Sequence, residues 1–269
     1  MFSIFKKKKI IPHIKLNGVI GNVGKFKQGI NFASQEEIIK KAFSIKKAPA
    51  VAISINSPGG SPVQSHLIHD QIKSLAKKHK KKVIIFAEDV AASGGYLIAC
   101  SGDEIYANQS SIIGSIGVIY SSFGFTELIS KIGVQRRVYT AGKNKSTLDP
   151  FMEEKKEDID RLKNIQEQIH DNFINYVKDR RGSKLDQNKL DDIFSGLFWV
   201  GNKAIDLGLA DGIGAIKPIL EEKFGKKIKI KIISQKKSFL QRRFSSSIFN
   251  SDEILNKIEE RIMFSRFGL

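Results

Sequence analysis

Residues 83–100 read VIIFAEDVAASGGYLIAC. The apolar run from Val83 to Phe86 has the composition of a strand, and two acids and several small residues follow it. Ser93 comes next, with Gly94 and Gly95 directly behind it and the apolar run of a short helix after them. Glycines after a serine remove side chains where a backbone can come close to a bound group. A helix that starts there turns its first N–H groups toward that group, which suits an anion. The stretch therefore reads either as a tight strand-to-helix turn or as a nucleophile at a helix start. A serine hydroxyl is a poor nucleophile without a base, so the second reading needs a partner from elsewhere in the chain.

Outward from this stretch, VAISIN (51–56) reads as a buried strand, and SPGGSP interrupts it sharply. A helix follows to about Lys78, with Leu67 or Ile68, Ile72 and Leu75 on its inner face. EIYA (104–107) is the next strand. Strand, helix, strand, helix, strand implies right-handed crossovers and a mostly parallel sheet. Upstream, one or two strands are expected between Ile10 and Val23, with turns at Asn17-Gly18 and Gly21-Asn22. A helix over residues 34–47 carries Ser34 as N-cap and Glu37 at the capping-box spacing. Downstream come a loop (108–122), a helix near 125–132 and a strand VQRRVYT (134–140). A long charged helix covers 151–181, with Leu162, Ile165, Ile169, Phe173 and Val177 at helical spacing. A shorter helix LDQNKLDDIF and a final strand KIKIKII complete the α/β pattern. The tail reads as a serine-rich linker and an amphipathic helix bearing Ile254, Ile258 and Ile262. The expected partition is a basic N-terminal tail (1–13), a main domain (14–235) and a basic helical C-terminal extension (236–269).

The chain has 269 residues, 41% of them hydrophobic, enough for a substantial core. Cys100 is its one cysteine, which rules out an internal disulfide. It sits in an apolar helical stretch and reads as packing. Lys and Arg number 45 against 28 acids, a net charge of +17, clustered at Lys6–Lys9, Lys77–Lys82 and Lys226–Lys231. None of these clusters is interleaved with aromatics, and no zinc finger or RNA-binding strand motif accompanies them, so no specific nucleic-acid partner is expected. No stretch approaches the roughly 18 apolar residues of a membrane span. MFSIFKKKK is too short in its apolar part for a signal peptide, so neither a transmembrane segment nor a signal peptide is expected. It reads as a basic tail, at most a small foot making weak peripheral contact with an anionic membrane. A cytoplasmic chain, or one peripheral to the inner membrane of a bacterium, fits this pattern.

Histidine is the usual partner of a serine. His13, His66, His69, His79 and His170 carry no motif around them, and a solvated face is the expectation for each. Lysine serves instead when its amine is neutral, which takes desolvation or nearby positive charge. TAGKNKSTLDPF (140–151) offers Lys143 and Lys145 in a glycine-containing loop.

INSPGGSP (55–62), AASGGYLIACSGDEIYA (91–107), GSIGVI (114–119), AGKNKS (141–146) and FWVGNKAIDLGLAD (198–211) follow one another in this order. Together, over roughly residues 14–235, they resemble the signal peptide peptidase A family, serine peptidases with a Ser-Lys dyad in the Clp-protease/crotonase superfamily. The resemblance implies a Clp-protease/crotonase-like α/β fold with flanking helices, Ser93 as nucleophile, Lys145 as general base and Ser115 orienting the lysine amine. Gly59 and Gly94 would supply two backbone donors, the chemistry of an oxyanion hole. Many members of the family have an aromatic residue before the lysine, where this chain has Asn144, which leaves Lys143 as a rival. The following Ser-x-x-Asp-Pro-Phe sets the register in favour of Lys145. The implied activity is endopeptidase hydrolysis of cleaved signal peptides or other extended apolar peptides, without metal or organic cofactor. By the same resemblance, a single-copy chain of this family is expected to close into a homo-oligomeric ring such as an octamer. Two other readings stand beside it. One is an acyl-CoA enzyme of the same superfamily using Glu88 and Asp89, the other a non-catalytic basic scaffold that binds membrane.

Overall fold

The computed structural model describes residues 9–21, 29–234 and 261–269. The elements in chain order are β1 (Lys9–Asn17), α1 (Phe32–Phe43), β2 (Ala50–Ser57), α2 (Pro62–His79), β3 (Lys82–Ala92), α3 (Gly94–Ala99), β4 (Glu104–Ala107) and β5 (Ile112–Gly114). They continue with α4 (Thr126–Lys131), α5 (Lys156–Arg181), a 3-10 turn (Gln187–Lys189), α6 (Leu190–Ile193), β6 (Phe198–Val200), α7 (Gly201–Asp206), β7 (Gly212–Ile213), α8 (Ile216–Phe224) and β8 (Ile228–Ile232). The described residues form two compact units. The first takes the residues up to Ile116 together with those from Ile174 on; the second is Gly117–Phe173.

The first unit holds one sheet in the order β6-β5-β3-β2-β1-β8, with β4 and β7 branching from β3. All its pairings are parallel except β5 with β6. β3 is long enough to serve two neighbours on one edge. Its first half pairs with β4 (Ile84↔Glu104) and its last three residues pair with β5 (Val90↔Ile112). Between them, the register against β2 slips, so that Ile55 faces Ala87 but Ser57 faces Ala91. Asn56 spans the slip, accepting from Val90 N–H at 3.2 Å and donating to Asp89 Oδ2 at 2.8 Å. This irregularity sets the end of β3 beside the Pro-Gly-Gly turn.

β2 is buried along almost its whole length, as a parallel strand covered on both faces must be. Ile11, Ala50, Ala52, Ile84 and Phe86 pack with Leu220 of α8, and Tyr106, Ile216, Ile219 and Phe224 close over them. Each fully buried Ile or Leu there contributes about 1.5–3 kcal/mol. Ile39 and Phe43 of α1 and Ile68 and Ile72 of α2 are likewise withdrawn from water.

Several expectations are corrected. α1 covers Phe32–Phe43 rather than 34–47, and its cap is Asn31 rather than Ser34, because the Asn31 side chain accepts the Ser34 N–H at 2.9 Å. Of the two alternatives Leu67 and Ile68, it is Ile68 that faces inward on α2, while Ala76 is buried where Leu75 was expected. The loop after β4 contains the short strand β5. Residues 134–140 form no strand, and α5 begins at Lys156 rather than 151. VQRRVYT alternates like a strand, but a strand needs a neighbour to take its N–H and C=O groups. The second unit holds no strand among the described residues to provide one. Lys81, inside the Lys77–Lys82 cluster, is buried and donates to Phe43 O and Ile45 O at 2.6 Å each, closing the C-terminal end of α1. The N-terminal foot (1–8) and Ile254 and Ile258 of the expected tail helix lie outside the described residues. Among the described residues, no helix is long and apolar enough to cross a membrane.

Candidate active site

β3 ends at Ala92 and α3 begins at Gly94, leaving Ser93 alone in the turn at φ 51°, ψ −124°. For a residue with a side chain, this conformation costs on the order of 1–3 kcal/mol. It persists because both of its backbone polar groups are held. Ser93 N–H donates to Gly114 O at 2.9 Å, and Ser93 O accepts from Leu97 N–H at 3.0 Å. The hydroxyl makes no capping bond to α3, so it is not spent on the helix. Gly94 is the first residue of α3, and the N–H of a first helical residue has no acceptor within its own helix.

Gly59 lies directly against this turn. Its φ is +106°, and a side chain on it would bring a Cβ to 2.7 Å from Ser93 Cβ and 3.0 Å from Gly94 N. Only a bare Cα fits. Gly59 O accepts from Ile20 N–H at 2.8 Å, while Gly59 N–H donates to Ser57 Oγ at 3.2 Å. That neutral hydroxyl is a weaker acceptor than the charged oxygen of a tetrahedral intermediate would be. Ser57 is fully buried, and the motif quoted for its glycines gave no hint of this bond.

Ser115 follows β5 and lies next to Gly114, whose carbonyl takes the Ser93 N–H. It is buried at φ 54°, and its own N–H donates to Leu197 O at 2.7 Å. Gly114 is at φ +114°, and a Cβ there would meet the Trp199 ring at 2.9 Å. The FWVG segment thus holds the backbone that holds Ser93. Sequence reading assigned it no such role, because the contact runs through a carbonyl and an aromatic face rather than a reactive group.

The far end of α3 is fastened as well. Arg180 donates to Cys100 O at 3.1 Å and to Gly102 O at 3.2 Å. Tyr96 O–H donates to Leu209 O at 2.9 Å. Arg181 is buried and bonds Gly208 O and, at 2.7 Å, Asp211 Oδ2. Burial works against the Asp211 carboxylate, yet its bonds from Arg181 and Lys184 hold its pKa below the ordinary value. Burial pushes the Cys100 thiol up to about 12, which leaves it no thiolate character for nucleophilic work.

Ser93, Gly94, Gly59 and Ser115 are therefore gathered in the first unit. Lys145 and Lys143 belong to the second, both exposed, in a run of turns where Lys145 N–H donates to Gly142 O at 3.2 Å. The histidines depart from expectation. His13 and His69 are buried, not solvated. His13 Nε2 lies 2.8 Å from Ser54 Oγ, and burial, followed by the charge of Lys15, lowers its pKa to about 4. His69 Nδ1 lies 2.9 Å from Asp70 Oδ1, and burial outweighs that carboxylate in lowering its pKa. Asp89 is engaged by Asn56, and Glu88 beside it is exposed. Among the described residues, no group of three or more His, Cys, Asp or Glu is placed to hold a metal ion.

A mostly parallel sheet with flanking helices, and a serine in a strained turn between a strand and a helix, define a Clp-protease/crotonase-like α/β fold. Solved structures of the 1510-N membrane-bound stomatin-specific protease share it. One covers 85% of this chain with a TM-score of 0.53 at 16% identity. Another, in complex with a substrate peptide, covers 90% with a TM-score of 0.50 at 17% identity. The model for peptidase family S49 matches residues 75–228. The chain belongs to that family, the signal peptide peptidase A family of serine-type peptidases. It is 31% identical over 224 residues to a putative signal peptide peptidase SppA of Enterococcus faecium, covering 80% of this chain and 62% of that one. It is 51% identical over 273 residues to a Brucella abortus (strain 2308) protein named Na(+)/H(+) antiporter NhaA, covering 96% of this chain. The chain spans only 37% of that Brucella protein's length.

Proposed function

We propose that this chain is a serine endopeptidase that cleaves peptide bonds through an acyl-enzyme on Ser93, with Lys145 as general base. The observation that carries the reading is the Ser93 turn. Its hydroxyl is spared from capping, Gly94 N–H opens a helix, and Gly59 is packed against both. Peptidase family membership supports hydrolysis as the reaction. The solved relatives were studied as serine-to-alanine and lysine-to-alanine mutants, the latter with a substrate peptide, which supports a serine, a lysine and a peptide as the working parts.

In this mechanism, the Lys145 amine takes the Ser93 proton as Oγ bonds to the scissile carbonyl carbon. The carbonyl oxygen becomes an oxyanion, stabilised by Gly94 N–H and by Gly59 N–H once it leaves Ser57 Oγ. Collapse expels the amine, which carries away the proton from Lys145. Water then repeats the sequence on the ester and releases the acid. Ser115 orients the lysine amine. The substrates are extended apolar peptides, cleaved signal peptides among them, a choice supported by the name of the Enterococcus relative. The working form is a homo-oligomeric ring, and contact with an anionic membrane is weak and peripheral.

The test is hydrolysis of an internally quenched leucine-rich peptide, paired with fluorophosphonate labelling and mapping of the labelled peptide. Ser93→Ala should fold and lose turnover by roughly three or more orders of magnitude, as removal of a nucleophile does. Lys145→Met should lose it comparably, and Lys143→Met should keep most of it. Label on another serine, or near-normal turnover by Ser93→Ala, would overturn the assignment.

A further inference from the structure

The loop that carries Lys145 is exposed, yet it is not loosely held. On one side, the Lys145 stem lies over Gly142, where φ is +108° and an added Cβ would touch Lys145 Cγ at 3.5 Å. On the other side stands Asn144, and its side chain is occupied. Arg161 NH1, from the second turn of α5, donates to Asn144 Oδ1 at 3.0 Å. The same NH1 donates to Asp158 Oδ1 at 3.1 Å. Thr147 Oγ1 donates to Asn144 O at 2.8 Å and lies 3.4 Å from the same Asp158 oxygen. Asp158 is one of the few buried groups in the second unit and sits in the first turn of α5, where a helix dipole favours negative charge. A buried carboxylate thus fixes a guanidinium, and the guanidinium fixes the residue immediately before Lys145.

We infer that Arg161 is a positioning residue for Lys145, holding the base loop on α5 through Asn144 and Asp158. The inference rests on the proposed role of Lys145 as the base. Arg161 does not touch the reacting atoms. It acts by fixing where the amine starts from, and proton transfer is sensitive to that distance. Asn144 meets Arg161 through its side-chain oxygen, so Asn144→Ala and Arg161→Met should cut the same connection. A third contact of Arg161, to Glu157 at 3.7 Å, is exposed and lies outside the connection. It provides a control.

The experiment measures kcat and KM separately on the internally quenched leucine-rich peptide, with thermal melts alongside. Asn144→Ala and Arg161→Met should each lower kcat by about 10-fold to 100-fold, the scale of a misplacement near 1 Å, with KM within about twofold. The double variant should be no worse than the poorer single, because both remove one connection. Glu157→Gln should match the parent in kcat. A parental kcat in Asn144→Ala, additive losses in the double, or an equal loss in Glu157→Gln overturns the inference. Lys145→Met separates this failure from that of the underlying reading. If Lys145→Met turns over normally, the base is wrong. If it is dead while Asn144→Ala is normal, the base stands and only the Arg161 connection falls.

Discussion

Ser93 and His13 are both polar side chains set into apolar surroundings, and they behave differently because of what meets them. Ser93 keeps its hydroxyl out of the helix it starts, and the cost of its φ is carried by bonds to its backbone. His13 is sunk in β1 against Ser54, its pKa lowered to about 4 by burial and then by Lys15. The unfolded chain takes up that proton near pH 6.5, and the folded chain only near 4. Between those values the unfolded state binds more protons, so stability should fall as pH drops from 6.5 toward 4 and then level off for this group. At about 1.4 kcal/mol per pH unit, the full loss is on the order of 3 kcal/mol. His13→Gln can still meet the Ser54 hydroxyl but cannot titrate, and its urea midpoints from pH 7 to 4 should decline less steeply than the parent's. Parallel declines would mean that His13 carries none of the acid sensitivity. Its burial was not legible in sequence, since a histidine between an Ile-Pro pair and Ile-Lys carries no sign of which face it takes. Ser93 was legible only because glycines follow it and other motifs accompany it.

α3 is six residues long, too short to be stable on its own account, and its orientation is imposed at both ends. β5 and Trp199 fix the Ser93 end through Gly114; Arg180 and Tyr96 fix the other. The long strands and helices were legible because their apolar period extends over many residues. The three-residue strands β5 and β6 were not, because no period can develop in so short a run. Their existence depends on β3 being long enough to offer an edge beyond β4, which is a property of the whole sheet. The C-terminal attachment of α3 has a measurable consequence. Arg180→Met keeps the stem and removes two bonds to carbonyls, so it should cost about 1–3 kcal/mol of stability. If α3 transmits that loosening, fluorophosphonate labelling of Ser93 should slow in the same variant under conditions where it remains folded. Lower stability with unchanged labelling would show that the Gly114 end alone sets the nucleophile.

At the scale of the molecule, the first unit has the deep core and the second is built on helix surfaces and short links. α4 has no buried residue, and Phe123, Ile132 and Tyr139 are exposed at 79%, 66% and 92%. Within the second unit, order comes from local contacts such as the stacked rings of Phe125 and Phe151, 5.4 Å apart, and the Arg136–Asp149 ion pair at 2.9 Å. This is why the strand expected at 134–140 failed while the sheet of the first unit was foreseen. Alternation in sequence is a promise that only a neighbouring strand can keep. So many exposed apolar side chains in the unit that carries the proposed base suit the proposed ring, in which a neighbouring subunit would cover them. A head-to-tail interface repeated to closure leaves no unmatched patch. If the next subunit completes each site, mixing Ser93→Ala chains with Lys145→Met chains under conditions of exchange should restore turnover that neither has alone. With random mixing at equal amounts, about one interface in four pairs an intact serine with an intact lysine, so recovery should approach a quarter of the parental rate. Light scattering on the same samples should report several times 30.1 kDa. A monomer with parental activity would end the ring proposal, and an exchanging oligomer that never regains turnover would confine each serine and lysine to one chain.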